Sequence, residues 1–237
     1  MAKQFWSFYI FGLRSYLRQH RYLLDLVIIG FFIILFEGFL KGTSESSEIW
    51  WVFAVLGIVL NFLTAPLVFN QERGNSLYFL LAHPNGRKNL LLSKIALIIS
   101  IDLFWVAVFA LAYGVRFPSM EYFLFLVPRM LIITCMLWLN TLLLSFTFTH
   151  KPHWSWLIFL LIVLGFIVNK QQLFPIDTIS SIGALIAFIL PPFFELAFLG
   201  VELQLRSWSL IFLGTTFIYG YLLWRLSYRL LQRKDFA

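Results

Sequence analysis

Four polar residues lie inside long apolar segments of the sequence, where such groups are costly and are by default candidates for function. Asp102 and Arg129 carry opposite charges, and Asn61 and Asn140 carry amides. They predict a buried ion pair or contacts with a substrate. Across an apolar core of about 30 Å, the two charges differ in depth by roughly 10 Å, so a direct pair needs tilted helices. The alternative is structural: hydrogen bonds between helices, with Arg129 reaching outward.

Catalytic motifs are absent from the sequence. No G-x-S-x-G, H-E-x-x-H or G-x-x-x-x-G-K-[ST] pattern occurs, so neither a nucleophilic serine, a zinc site nor a phosphate-binding loop is predicted. His150 and His153 could supply two metal ligands, but no carboxylate is near them and we interpret them as interfacial loop residues. Cys135 has no partner for a disulfide within the chain. We therefore expect no catalytic residue and no metal.

The composition is that of an all-α integral membrane protein. Hydrophobic residues make up 61% of the chain and charged residues 12%, against about 25% charged residues in soluble domains. A spanning helix needs about 20 residues, so six spans leave no room for a soluble domain. No cleavable signal peptide is predicted, and nothing indicates nucleic-acid binding. The predicted spans are residues 22–40, 49–69, 95–115, 122–148, 154–168 and 208–226.

Residues 1–21 have the pattern of an amphipathic helix. Aromatic and aliphatic residues such as Phe5, Tyr9 and Tyr16 fall on one face of a helical wheel, and basic residues such as Arg14 and Arg18 fall on the other. A helix of this kind lies in the headgroup plane rather than across the membrane. We therefore predict an N-terminal elbow helix, followed by a single transmembrane domain over residues 22–237.

Residues 179–201 hold two short apolar runs that meet at Pro191 and Pro192. Each run is roughly 13 Å long as a helix, too short to cross a core of about 30 Å. Reading them as one seventh span would place the basic C-terminal tail outside, whereas six spans put thirteen of the 18 basic residues on one side. We therefore predict an outer re-entrant hairpin broken at the proline pair, and both termini on the cytoplasmic side of a cell (inner) membrane.

The loop over residues 70–94 is the longest polar interruption in the chain and falls on the same cytoplasmic side. Its sequence NQERGNSLYFLLAHPNGRKNLLLSK has an apolar centre between charged flanks. Such a segment predicts a short helix that buries one side. It could rest on the bilayer surface or dock on a soluble partner.

The pattern E-R-G-x-S-L-x-x-L-L-x-x-P, followed by a lysine that opens the next span, resembles the loop after the second span of type-two ABC exporter permeases. The departure is Tyr78, where that family commonly has a glutamate. The elbow helix, six spans and broken outer hairpin resemble the same family, and the small size is similar to that of the haem exporter membrane subunit. The matching residues are Glu72, Gly74, Ser76, Leu77, Leu80, Leu81, Pro84 and Lys94.

The resemblance implies a half-transporter that works with other chains. It implies a second permease chain, identical or paralogous, and a separate ATPase subunit that binds the ATP and Mg²⁺, leaving no cofactor in this chain. It also implies a coupling helix seated in a cleft of the ATPase, formed by Glu72, Arg73, Gly74, Ser76, Leu77, Leu80 and Leu81. The substrate is unidentified; the aromatic-rich spans suggest an amphipathic or lipid-like molecule.

Two other classes remain open at this point. An ion-coupled secondary transporter would use Asp102 and Arg129, although the inverted repeats typical of that class are absent. An intramembrane enzyme would need a nucleophile with a histidine, or paired acids, at one membrane depth, and no such set is evident. Dependence on a nucleotide-binding partner separates the first hypothesis from both alternatives.

Overall fold

All regular structure in the described part of the chain is helical. The computed structural model describes residues 2–37, 46–69, 86–150, 155–170, 187–204 and 207–233. Within these ranges the helices are α1 Ala2–Arg18, α2 Tyr22–Leu35, α3 Ile49–Phe69, α4 Gly86–Arg116, α5 Met120–His150, α6 Ser155–Ile167, α7 Phe193–Glu202 and α8 Ser207–Arg233.

Four helices in the described ranges are long and apolar enough to cross a bilayer, namely α3, α4, α5 and α8. The chain is therefore a multi-pass membrane protein. The other two predicted spans correspond to shorter apolar helices, α2 with 14 residues and α6 with 13. At 1.5 Å per residue each is only about 20 Å long, and residues 38–40 of the first predicted span lie outside the described residues. Six spans therefore stay a prediction.

The centre of the protein is formed by α3, which packs against both α4 and α5. Apolar residues occupy nearly every position of α3, and most of them are buried, including Phe53, Leu56 and Leu60. A helix that is apolar all round is typical of the interior of a bundle. The next helix, α4, begins at Gly86, nine residues before the predicted third span, so residues 86–94 continue that span rather than the loop.

The N-terminal helix α1 packs along the first half of α4. Tyr16 is buried in the core, and Tyr9 and Leu13 pack against it. Other members of the predicted apolar face, including Trp6 and Leu17, remain exposed. The predicted amphipathic helix therefore exists and uses one part of its apolar face for the bundle. Its position relative to a membrane surface stays a prediction.

A break in the helical backbone occurs at Pro191 and Pro192. Residues 187–189 form one helical turn, the two prolines are not helical, and α7 begins at Phe193. With 10 residues, α7 is about 15 Å long, too short to cross a bilayer. Gly165 of α6 lies against the break, since a Cβ there would come within 2.7 Å of the Pro191 carbonyl oxygen. Residues 179–186, the first arm of the predicted hairpin, lie outside the described residues, and the re-entrant arrangement stays a prediction.

The last helix, α8, packs along α5 at a point of close approach. A Cβ at the buried Gly220 would lie 2.0 Å from the indole ring of Trp138. Small residues allow this kind of approach between membrane helices, where dispersion contacts replace the hydrophobic effect as the main attraction.

Replacing Gly220 by alanine should weaken this contact. Overpacking of a tight interface costs about 1–3 kcal/mol, so we expect a lower free energy of unfolding in a detergent titration followed by circular dichroism. Gly214→Ala is the matched control on the same helix, because a Cβ there meets nothing within 4 Å. Both changes carry the same gain in helix propensity. Equal stability of the two variants would contradict the close packing of α8 on α5.

Candidate functional site

A cluster of buried polar side chains joins the three central helices. It consists of Asn61 on α3, Asp102 on α4, and Asn140 and Thr141 on α5, and all four are fully buried. We call it the Asn61 cluster. Three of the four intramembrane candidates from the sequence therefore meet at one place in the structure.

Asn61 makes the bonds that hold the Asn61 cluster together. Its side-chain nitrogen donates to Asp102 Oδ2 at 2.7 Å and to Thr141 Oγ1 at 2.8 Å. Its side-chain oxygen accepts a hydrogen bond of 2.9 Å from the amide nitrogen of Asn140. Both donor hydrogens and the carbonyl oxygen of Asn61 are thus used, which is the condition for burying an amide at low cost.

Two oxygen atoms of the Asn61 cluster have no hydrogen-bond partner among the described residues, Asp102 Oδ1 and Asn140 Oδ1. Thr64, one helical turn from Asn61, lies beside the same carboxyl group. A buried carboxylate without full compensation is expensive at membrane depth, so a proton or a bound water is the natural complement of these oxygens. Nowhere in the described ranges do three His, Cys, Asp or Glu side chains gather as a metal site.

Arg129 lies elsewhere in the protein. Its guanidinium lies over the rings of Trp50, at 5.1 Å from the centroid, and Phe125, at 5.9 Å. Trp50 in turn stacks on Tyr122 with 5.4 Å between centroids. The hypothesis of a direct Asp102–Arg129 pair is therefore not met, because the hydrogen-bond donors that face Asp102 are amide and hydroxyl groups.

Asp25 is a second buried carboxyl, which the sequence interpretation did not single out. Its Oδ2 accepts hydrogen bonds from the phenol of Tyr16 and, at 3.2 Å, from Trp105 Nε1. These bonds connect α1, α2 and α4. Burial, followed by the neighbouring Asp25 carboxylate, raises the pKa of the Tyr16 phenol. A carboxylate near the start of an apolar segment was the only signal in the sequence.

Lys170 and Glu195 form a buried ion pair at the proline break. The backbone N–H of Lys170 donates to Glu195 Oε1 at 2.7 Å, and its ammonium lies 4.0 Å from Glu195 Oε2. The ammonium also donates to the Leu190 carbonyl, directly before Pro191, and lies 5.9 Å from the Phe212 ring centroid on α8. This pair joins the segment that follows α6 to α7, and the ammonium also contacts α8. Sequence interpretation missed it because the two residues are 25 positions apart.

Burial lowers the pKa of Lys170 to about 8, and the Glu195 carboxylate offsets part of this effect. Burial likewise raises the pKa of Glu195, and Lys170 opposes the rise. Both pKa shifts have the same physical cause. Each charged group has lost its hydration on burial, and its ion-pair partner compensates for that loss only in part.

The residues predicted to form the coupling helix, Glu72 to Leu81, lie outside the described residues, as does Pro84. The two ends of that loop are described. Phe69 is the last residue of α3, and Gly86 is the first residue of α4.

In comparisons with known proteins, no family model, no curated protein and no solved structure matches the chain.

Asn61→Leu should destabilise the bundle. It removes two donors and one acceptor and leaves the Asp102 carboxyl without its amide partner, for a loss of about 1–3 kcal/mol in the free energy of unfolding. Adding Asp102→Leu should recover part of that loss, because no orphan carboxyl then remains. Thr134→Val on α5 is the control, since that hydroxyl bonds only the carbonyl of its own helix. Unchanged stability of Asn61→Leu would contradict the role given to Asn61.

Stability should depend on pH through Lys170. Its pKa is about 8 in the folded protein, against an ordinary value of 10.5 for a solvated lysine. Between these two values the unfolded chain binds more protons, so the free energy of unfolding contributed by Lys170 rises with pH. We expect this rise in detergent-unfolding titrations of the wild type and its loss in Lys170→Met. If the free energy of unfolding of the wild type falls between these two pH values as steeply as that of Lys170→Met, the result would be inconsistent with a buried, charged Lys170.

Proposed function

We propose that this chain is the membrane-spanning permease subunit of an ATP-binding cassette exporter, driven by a separate ATPase subunit. The proposal starts from the motif between Glu72 and Pro84. The observation that carries it further is a set of contacts at the two ends of the motif-bearing loop. These contacts tie the loop ends to α1 and α8, as a segment that transmits motion requires.

The two ends of the loop are held together by Lys94. Its ammonium donates to the backbone carbonyl of Phe69 at 3.4 Å and lies 5.6 Å from the centroid of the Phe69 ring. Phe69 closes α3 directly before the motif, and Lys94 is the basic residue that ends the matching pattern. A displacement of the loop therefore acts on α3 and α4 as a unit.

The start of α4 is fastened to the end of α8. The guanidinium of Arg87 donates to the carbonyls of Leu231, at 3.3 Å, and Gln232. These carbonyls belong to the last turn of α8, where the helix has no N–H partners of its own for them. Arg87 is the second residue of α4, directly after the loop, so the end of α8 is connected to the helix into which the loop leads.

The N-terminal helix is bound to both ends of the loop. Gln4 accepts a 3.0 Å hydrogen bond from Asn89 near the start of α4. Arg21, three residues past the end of α1, donates to the carbonyl of Leu67 near the end of α3, and Gly12 of α1 lies against Leu97. An elbow helix attached in this way would move with the coupling loop when a partner closes on ATP.

Partners follow from the same proposal. The ATPase subunit binds ATP and Mg²⁺, and a second permease chain, identical or paralogous, completes the membrane part. Apolar side chains such as Val27 and Ile34 on α2 and Ile218 on α8 are exposed and would face lipid or that second chain. In this arrangement the membrane is the cell membrane, with both termini cytoplasmic.

The ion-coupled carrier remains the alternative, and the Asn61 cluster is the observation in its favour. Asp102 is a buried carboxyl with one oxygen lacking a hydrogen-bond partner among the described residues, as a proton-carrying site requires. Arg129, the other half of that hypothesis, lies over Trp50 instead.

For an intramembrane enzyme the Asn61 cluster offers one carboxyl with amide and hydroxyl neighbours, which is neither paired acids nor a nucleophile with a base.

Leu77→Asp with Leu81→Asp should abolish partner binding. Two charges in an apolar docking surface leave unpaired, desolvated carboxylates, so recovery of the ATPase subunit should fall at least about tenfold. The measurement is affinity purification of the chain from its native host in mild detergent, with quantification of co-purified ATPase protein and ATP hydrolysis.

Gln19→Asp is the control for this experiment, because it adds a charge at an exposed position just after α1, also on the predicted cytoplasmic side. Its recovery of the ATPase should equal that of the wild type. A wild-type chain that purifies without any ATPase and still transports would contradict the proposal and would favour the carrier built on Asp102.

A further inference from the structure

A cavity of about 400 Å³ lies between the end of α2, the start of α3 and α7. Its volume falls in the range of about 300–1,000 Å³ typical of ligand pockets. The lining residues that bear on its chemistry are Phe36, Glu48, Trp51, Phe194 and Phe198. The cavity is separate from the Asn61 cluster, none of whose members lines it.

The walls of the cavity are mainly aromatic. Trp51 packs edge-on against Phe194, with 5.5 Å between ring centroids and 66° between planes. Phe194 and Phe198, one turn apart on α7, are parallel within 8°. Ring faces carry the negative part of the aromatic quadrupole, so a cavity lined by them attracts cations as well as apolar groups.

Glu48 is the ionisable residue of this lining. It directly precedes α3 and is exposed. A carboxylate beside aromatic rings attracts a cation over several ångströms and opposes an anion. The carboxylate and the rings together favour a positively charged ligand over a negatively charged one. A cavity lined only by aliphatic side chains would not make this distinction.

The ligand is further limited by the side chains that the described lining residues offer, one carboxylate among aromatic and aliphatic groups. One carboxylate and a set of rings cannot replace the hydration shell of an inorganic cation, which needs several oxygen ligands. A cation that carries its own apolar groups loses little hydration on entry and gains contact with the rings. We propose that this cavity binds a monovalent organic cation with aromatic or aliphatic substituents.

The assignment of this cavity as the substrate site rests on the proposed function, because an organic cation is then the class of molecule that the exporter moves. The position of the cavity fits that role. One wall is α7, the helix that begins directly after Pro191 and Pro192 and is bonded through Glu195 to Lys170, just past the end of α6. A ligand between α3 and α7 therefore contacts both the central bundle and the segment that follows the break.

The test is equilibrium dialysis of the purified full chain in detergent against tetraphenylphosphonium, with protein-free micelles as the blank. Tetraphenylborate has nearly the same shape and the opposite charge, so it separates recognition of charge from partition into the micelle. We expect saturable binding of about one tetraphenylphosphonium per chain and at least about fivefold weaker binding of the borate, the factor for about 1 kcal/mol of charge interaction.

Two variants localise the binding. Glu48→Gln should weaken tetraphenylphosphonium binding about fivefold or more and remove the preference over the borate. Trp51→Leu should weaken it about threefold to thirtyfold through the lost ring face. Trp156→Leu is the matched control, because Trp156 is exposed on α6 and does not line the cavity; its binding should equal that of the wild type.

Equal binding of the two ions, non-saturable binding, or binding unchanged by Glu48→Gln would each overturn the proposal. The dialysis needs no ATPase, so the two proposals fail separately. A chain that binds tetraphenylphosphonium through Glu48 but recovers no ATPase contradicts the exporter function and leaves the cavity assignment standing. A chain that recovers the ATPase but does not bind the cation contradicts the cavity assignment alone.

Discussion

The hydrogen bonds of one amide, Asn61, determine how the three central helices fit together. In a bilayer no water competes for polar groups, so each donor and acceptor must find its partner within the protein. Asn61 has three such partners, one on α4 and two on α5. Sliding α3 by one residue would break the bond to Asp102 if α4 stayed in place, and the two bonds to Asn140 and Thr141 if α5 stayed in place. The relative positions of α3, α4 and α5 are thus fixed at one depth, and the rest of the bundle packs around that arrangement.

At the helix ends the same constraint is met by basic side chains. The last carbonyls of a helix have no partners within it. Arg21 bonds Leu67 near the end of α3, Arg87 bonds Leu231 in the last turn of α8, and Lys170 bonds Leu190 before the proline pair. A long cationic side chain can reach such a carbonyl while its stem crosses apolar surface. These bonds connect segments that are distant in sequence, so they satisfy the backbone and hold those segments together.

Sequence interpretation succeeded where one residue carries the signal and failed where two distant residues share it. Asn61, Asp102 and Asn140 were recognisable because each is polar within an apolar run, and the helices that hold them followed from length and hydropathy. Whether these three residues meet depends on how each helix is rotated about its axis. The surface of α3 does not specify that rotation, because the helix is apolar on all sides. The Lys170–Glu195 pair required knowledge of how the chain returns after the break. Asp25 was passed over because a carboxylate near a span end is ordinarily solvated.

The Lys170–Glu195 pair and the aromatic cavity share α7, and this connects binding to conformation. Glu195 is bonded to Lys170 just past the end of α6, while the adjacent Phe194 lines the cavity against Trp51. Phe193, on the other side of Phe194, stacks on Phe166 of α6. A ligand that moved Phe194 would therefore act on a helix held by a buried ion pair. Such a pair has few intermediate states, because separating it by a small distance exposes both charges to a poorly polar interior. Small displacements at the cavity would thus be resisted until α7 moves as a whole, and under the proposed exporter function this is the behaviour that alternating access requires.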